Sequence, residues 1–190
     1  MYNSSKIIII SGTSGSGKTT LVNYLLQQDE LNLAFSISAC SRPQRPLEKH
    51  GEQYVFLSEN EFRDKIKIGD FLEWEEVYPA HLYGTLKSSC ETLLLSGKNV
   101  LFDVDVQGAL SIKNYFKDRS RSVFVQPSSI ITAKDRLINR STENTENLAH
   151  RIDKMKSEIN IGKQMDYQLL NDELYLAKKN LYNYVKSFIL

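Results

Sequence analysis

Apolar residues in this chain follow two rhythms. Short unbroken aliphatic runs alternate with stretches whose apolar positions recur every three to four residues. The first run, Lys6–Ile10, carries four consecutive isoleucines and is closed by a glycine turn, which predicts a parallel strand buried on both faces. Leu21, Val22, Leu25 and Leu26 follow at helical spacing and predict a helix from about Lys18 to Gln28. Val100–Asp105, Ser122–Val125 (closed by Pro127) and Tyr167–Leu170 read as further core strands. The stretches between them are helical: Cys90, Leu93 and Leu94 before a stop at Gly97, then Ala109–Phe116. Two more helical patterns follow, with Ile130, Ile131, Leu137 and Ile138 inward on one and Leu148, Ile152, Met155 and Ile159 on the other. Leu181, Tyr184, Val185 and Phe188 close the chain on an amphipathic helix. This alternation predicts an α/β protein whose parallel sheet has helices on both faces.

The rhythm breaks after the first helix. Phe35–Pro46 begins as an alternating strand and ends in a proline-broken loop holding Arg42 and Arg45. Tyr54–Leu57 and Phe71–Glu75 are short alternating runs. Between them, Ser58-x-x-Glu61 is a capping box opening a short helix with Phe62, Ile66 and Ile68 inward. Strands clustered this way predict a small β-rich insert, separate from the parallel sheet.

Chemistry enters at the first strand–helix junction. Gly12, Gly17, Lys18 and Thr19 fit G-x-x-x-x-G-K-[ST], the phosphate-binding loop. Its glycines let several backbone N–H groups converge on one anion, and the helix that follows adds its positive end. Lys18 is placed to reach β- and γ-phosphates, and the Thr19 hydroxyl to ligate Mg²⁺. The acidic residues Asp103 and Asp105 end a core strand, where ligands bind in open α/β sheets and where phosphate-loop proteins hold their metal shell. Five of the eight arginines, Arg42, Arg45, Arg136, Arg140 and Arg151, fall in two stretches flanking the core. Arg136 and Arg140 share one helix face, which suits an anion clamp, or else pairing with Asp135, Glu143 or Glu146.

The bulk composition narrows the partners. A net charge of +1 over 190 residues argues against a nucleic-acid binder. No apolar run is long enough for a signal-peptide core or a membrane span. Cys40 and Cys90 form no C-x-x-C, and the three histidines are scattered, which argues against zinc and for a reduced, cytoplasmic setting. Oligomeric state leaves no mark on the sequence.

Taken in order, these pieces resemble guanylate kinase over essentially the whole chain. The match runs through Gly12–Thr19, Ser38–Arg42 with Arg45, Glu48-x-x-Gly51-x-x-Tyr54-x-Phe56, Phe71–Trp74 and Tyr83-Gly84-Thr85. It continues through Asp103–Gly108, the arginines Arg136, Arg140 and Arg151, and Asn171-Asp172. The resemblance implies a P-loop three-layer core (residues 1–36, 94–130 and 157–190), a mixed-β GMP-binding insert (37–93) and a helical lid (131–156). It implies transfer of the ATP γ-phosphate to GMP with Mg²⁺. ATP would lie on Gly12, Thr13, Ser14, Gly15, Ser16, Gly17, Lys18, Thr19 and Thr20, with Asn171 near its base. Arg42, Arg45, Tyr54 and Tyr83 would hold the GMP phosphate. Glu73 and Asp105 would accept from the guanine N1–H and amine, and Ser38 and Thr85 would meet O6. Thr19 and Asp103 would carry the metal, while Lys18, Arg136, Arg140 and Arg151 would surround the transferring group.

The attacking oxygen belongs to an already anionic phosphate, so no general base is required, and positioning and charge cancellation suffice. The sequence departs from the family at Cys40, where Ser or Thr is usual. Pro46-Leu47 replaces small residues, Ser141 follows Arg140 where glycine is common, and Pro79–Leu82 is an unusual approach to Tyr83. Three other readings compete. A GTPase is suggested by Asp105-x-x-Gly108 but lacks an Asn-Lys-x-Asp motif. A non-catalytic interaction module of the same family is opposed by the intact phosphate loop. A related kinase with another phosphorylated acceptor is opposed by Glu73 together with Asp105.

Overall fold

In the computed structural model, which describes residues 5–127 and 145–190 (the side chains of 145–152 and 154 excepted), two sheets share the chain. The larger is parallel throughout. It comprises β1 (Ile7–Gly12), β2 (Leu33–Phe35), β7 (Asn99–Asp103), β8 (Ser120–Gln126) and β9 (Tyr167–Leu170), in the order β2-β7-β1-β8-β9. β1 occupies the centre, and alternation sends its isoleucines to opposite layers. Ile8 and Ile10 pack with Leu101, Val123, Val125 and Leu169 beneath α1 (Lys18–Leu26) and the closing helix α6 (Leu174–Ile189). Ile7 and Ile9 pack with Phe102, Phe124, Cys90 and Ile112 beneath α3 (Lys87–Leu95) and α4 (Val106–Phe116). All four isoleucines are fully buried, which at roughly 1.5–3 kcal/mol each makes this strand the spine of the core.

The smaller sheet is mixed, in the order β4-β3-β6-β5, from β3 (Ala39–Cys40), β4 (Val55–Phe56), β5 (Phe71–Tyr78) and β6 (His81–Leu86). It has its own core of Phe62, Phe71, Leu82 and Leu86 beneath α2 (Glu59–Lys67), with Phe62 stacked on Phe71 at 4.3 Å. The Ser58–Glu61 capping box forms as the spacing predicts. Ile68 does not turn inward: it is the C-cap of α2 and 73% exposed.

Other boundaries moved for physical reasons. The stretch expected to begin as one strand at Phe35 divides: β2 ends at Phe35 against β7, and Ala39–Cys40 passes to the other sheet. The strand expected to run to Asp105 stops at Asp103, because the Asp105 carboxylate accepts the Gly108 N–H and caps α4. β1 runs on to Gly12, where Ser11 and Gly12 pair with Phe124 and Val125. Pro79–Leu82 holds the tight turn of a long β5–β6 hairpin, with Ala80 at φ 65°, so Tyr83-Gly84-Thr85 lies on a strand. The helical pattern of Ile130–Ile138 falls outside the described residues. The following pattern becomes α5 (Thr145–Gly162), where Met155 is buried.

Candidate active site

The β1–α1 turn is tied down from three sides. A Cβ at Gly12 would overlap the Val125 carbonyl, so only glycine lets β1 press this close to β8 as it turns. Gly17 caps α1 in the left-handed region at φ 88°, and a side chain there would strike the Asn171 amide. The Lys18 ammonium donates to the Gly12 carbonyl at 2.8 Å and lies across the loop mouth. Thr19 and Thr20 are exposed around a recess of about 80 Å³ that Thr13, Gly15, Ser16, Gly17 and Lys18 also line, and Ser14 is exposed beside it in the chain. The Thr13 and Ser16 hydroxyls are buried without a hydrogen-bond partner among the described residues. The Asn171 amide donates to the Ser16 carbonyl at 2.7 Å, bracing the loop from β9's end.

A second recess, of about 200 Å³, opens between the two sheets. Ser38, Tyr54, Glu73, Tyr83, Asp103 and Asp105 line it. Glu73 stands on β5 just after a register shift between Phe71 and Glu73, and such bulges re-aim side chains at binding sites. Its Oε1 accepts the Thr85 hydroxyl at 2.6 Å. Burial pushes the Glu73 carboxyl up to about 7; Thr85 opposes that rise, while Asp105 adds to it. Thr85, expected at guanine O6, is itself buried and committed to Glu73. Asp103 lines this recess as well. Its carboxyl is raised by burial and lowered by the Lys18 charge, so it stands between the two recesses.

At the far end, Arg42 is 8% exposed and forks onto Glu48, with Nη1 to Oε2 and Nη2 to Oε1 both at 2.6 Å. Its guanidinium lies over the Tyr54 and Phe56 rings at 5.0 and 5.5 Å. Glu48 also accepts the Arg45 N–H at 2.9 Å, and the two arginines hold its carboxyl down to about 2. The Arg45 side chain is exposed at the rim. Glu48 has no role in the sequence reading, although an acid three residues after Arg45 was the available signal. Arg136, Arg140 and the Arg151 side chain lie outside the described residues.

A parallel sheet, a glycine-cradled anion site at its first helix and a carboxylate at the adjacent strand end define a phosphate-loop nucleotide-binding protein. The fold resembles the crystal structure of shikimate kinase from Bacteroides thetaiotaomicron, with a TM-score of 0.52 at 15% identity over 95% of this chain and 98% of that one. The likeness is greater to guanylate kinase from Anaplasma phagocytophilum, with a TM-score of 0.74 at 24% identity over 96% of this chain and 85% of that one. The guanylate kinase family model matches residues 4–188. A guanylate kinase of Bacteroides fragilis is 49% identical over 184 residues, covering 97% of this chain and 90% of the relative. One of Porphyromonas gingivalis is 46% identical over 184 residues, covering 97% and 98%. The chain belongs to the guanylate kinase family.

Proposed function

We propose that this chain transfers the γ-phosphate of ATP to GMP, giving ADP and GDP. The observation that carries the reading is the pairing of Glu73 and Asp105 in one recess, beside a strand-end carboxylate that feels the phosphate-loop lysine. Ionised carboxylates accept hydrogen bonds, and guanine offers two donors, N1–H and the exocyclic amine, on one edge. Adenine lacks both at that edge, so AMP would leave buried acceptors unpaired. Arg42, held flat by Glu48 and two rings, meets the GMP phosphate with Tyr54, Tyr83 and Arg45. Ser38 faces the same recess.

ATP would lie on the loop from Gly12 to Thr20, where the Thr13 and Ser16 hydroxyls await partners. The residues present also suit Mg²⁺. Thr19 offers an exposed hydroxyl at the head of α1, and Asp103 is a half-buried carboxylate whose raised pKa a cation would relieve. Mg²⁺ takes few protein ligands when phosphates supply the rest. Held there, it would offset charge on the phosphates. Lys18 leaves the Gly12 carbonyl for the β- and γ-phosphates, and Arg136, Arg140 and Arg151 close over the transferring group from a lid of residues 131–156. The insert of residues 37–93 carries the acceptor, and 1–36, 94–130 and 157–190 carry the donor. No base is required, because the nucleophile is already anionic.

Among the described residues no helix is long and apolar enough to cross a membrane, and Cys40 and Cys90 are buried and unpaired. The unpaired cysteines support a reduced, cytoplasmic setting. Phosphorus NMR of the chain with ATP, GMP and Mg²⁺ tests the reaction: GDP and ADP should appear in equal amounts. Release of inorganic phosphate without GDP would contradict it.

A further inference from the structure

The motif Asp105-x-x-Gly108, which imitates a GTPase switch, is left unexplained by the reaction. Here it opens α4: the Gly108 N–H donates to Asp105 Oδ1 at 2.7 Å. Gly108 itself is buried. A Cβ built there would lie 3.0 Å from Asp105 Oδ1, 3.0 Å from Glu73 Oε2 and 3.2 Å from Glu73 Cδ. The missing side chain is therefore the gap in which the two carboxylates approach each other.

Resting on the guanine reading above, we infer that Gly108 is a positioning residue for acceptor specificity: its bare Cα sets the spacing of the Glu73 and Asp105 carboxylates. Neither acid can yield freely. Thr85 pins the other oxygen of Glu73 at 2.6 Å, and Gly108's own N–H pins Asp105. A methyl group would wedge the acceptors apart by a few tenths of an ångström. The guanine edge is rigid, so its two donors cannot follow. Gly108 has no positive φ to satisfy. Alanine also favours helical backbone over glycine, so no local cost in α4 should accompany the change.

The test is Gly108→Ala in the full chain. KM for GMP should rise roughly tenfold or more, with kcat within about threefold, because sub-ångström displacement of positioning groups weakens productive binding. KM for ATP should stay within about twofold, and the melting temperature should fall by no more than a few degrees, because alanine's helix preference offsets part of the strain at the two carboxylates. A second arm compares the same change in a Glu73→Asp background, where the carboxylate is drawn back by one methylene. The factor on KM for GMP should shrink there, since the two sites couple through contact. An unchanged KM for GMP in Gly108→Ala would overturn the inference. So would equal losses toward GMP and ATP with a lower melting temperature, or an undiminished factor in the Glu73→Asp background. A wild-type chain that formed no GDP would overturn the guanine reading itself and this inference with it.

Discussion

Glu73 is held in a state that opposes its own ionisation, and this should be visible without any nucleotide. Burial, with the Asp105 charge adding to it, moves the carboxyl from 4.5 to about 7, while the Thr85 hydrogen bond pulls the other way. The sign follows from linkage. Below the unfolded value both states are protonated and folding is not penalised. As pH rises from 4.5 to about 7, the unfolded chain ionises first, so stability falls, and the full penalty stands above about 7. At roughly 1.4 kcal/mol per pH unit, that gap is worth about 3 kcal/mol.

Glu73→Gln keeps the shape and can still accept from Thr85, but carries no charge. Near pH 4 to 5 the two proteins should melt within about 2 °C of each other. Above about pH 8 the glutamine variant should melt roughly 6–12 °C higher, given about 2–4 °C per kcal/mol for a chain of this size. Asp103, also raised by burial, contributes the same sign in both proteins and cancels in the difference. The assay is thermal melting across pH. A difference between wild type and Glu73→Gln that stays flat with pH would refute the buried-carboxylate account. So would a difference that favours the wild type more at high pH than at low.

Other outcomes follow from the site. Lys18→Ala should lower kcat by about 10³-fold or more in a coupled ADP assay, with the melting temperature within about 2 °C, because it removes charge stabilisation and no packing. Glu48→Gln frees one arm of the Arg42 fork and should raise KM for GMP roughly tenfold without moving KM for ATP; matched changes in both would mean a general folding defect. Asn171→Ala removes the brace on the Ser16 carbonyl and should raise KM for ATP several-fold while costing about 1–2 kcal/mol in denaturant titration. GMP affinity of the wild type, measured by calorimetry, should weaken as pH falls below about 7, as Glu73 gains a proton and loses acceptor capacity.

The core was legible because its signals are local. Four isoleucines in a row have no other economical place than the centre of a doubly covered sheet, and the phosphate loop is written in consecutive residues. The insert was less legible. Its strands are as short as two residues, so alternation could not show that Ala39–Cys40 leaves the β2 strand for another sheet. Asp105 was visible as a carboxylate but not as a helix cap, since capping depends on where the preceding strand stops. Ile68 looked inward by spacing, although Gly69 directly after it, at φ 73°, is the glycine stop that marks where α2 ends. Thr85, Glu48 and Gly108 act through partners 12, 6 and 3 positions away. Such pairings depend on tertiary contact, although Glu48 stood in plain view between two arginines and two tyrosines.

The central claim is that two carboxylates read the guanine edge, and acceptor preference tests it most directly. Initial rates with GMP and AMP, at fixed ATP and Mg²⁺, give the ratio of kcat/KM. A site whose buried acceptors are satisfied by one base alone should prefer GMP by roughly 10⁴-fold, and Glu73→Gln should collapse most of that preference. Comparable kcat/KM for GMP and AMP in the wild-type chain would contradict the account.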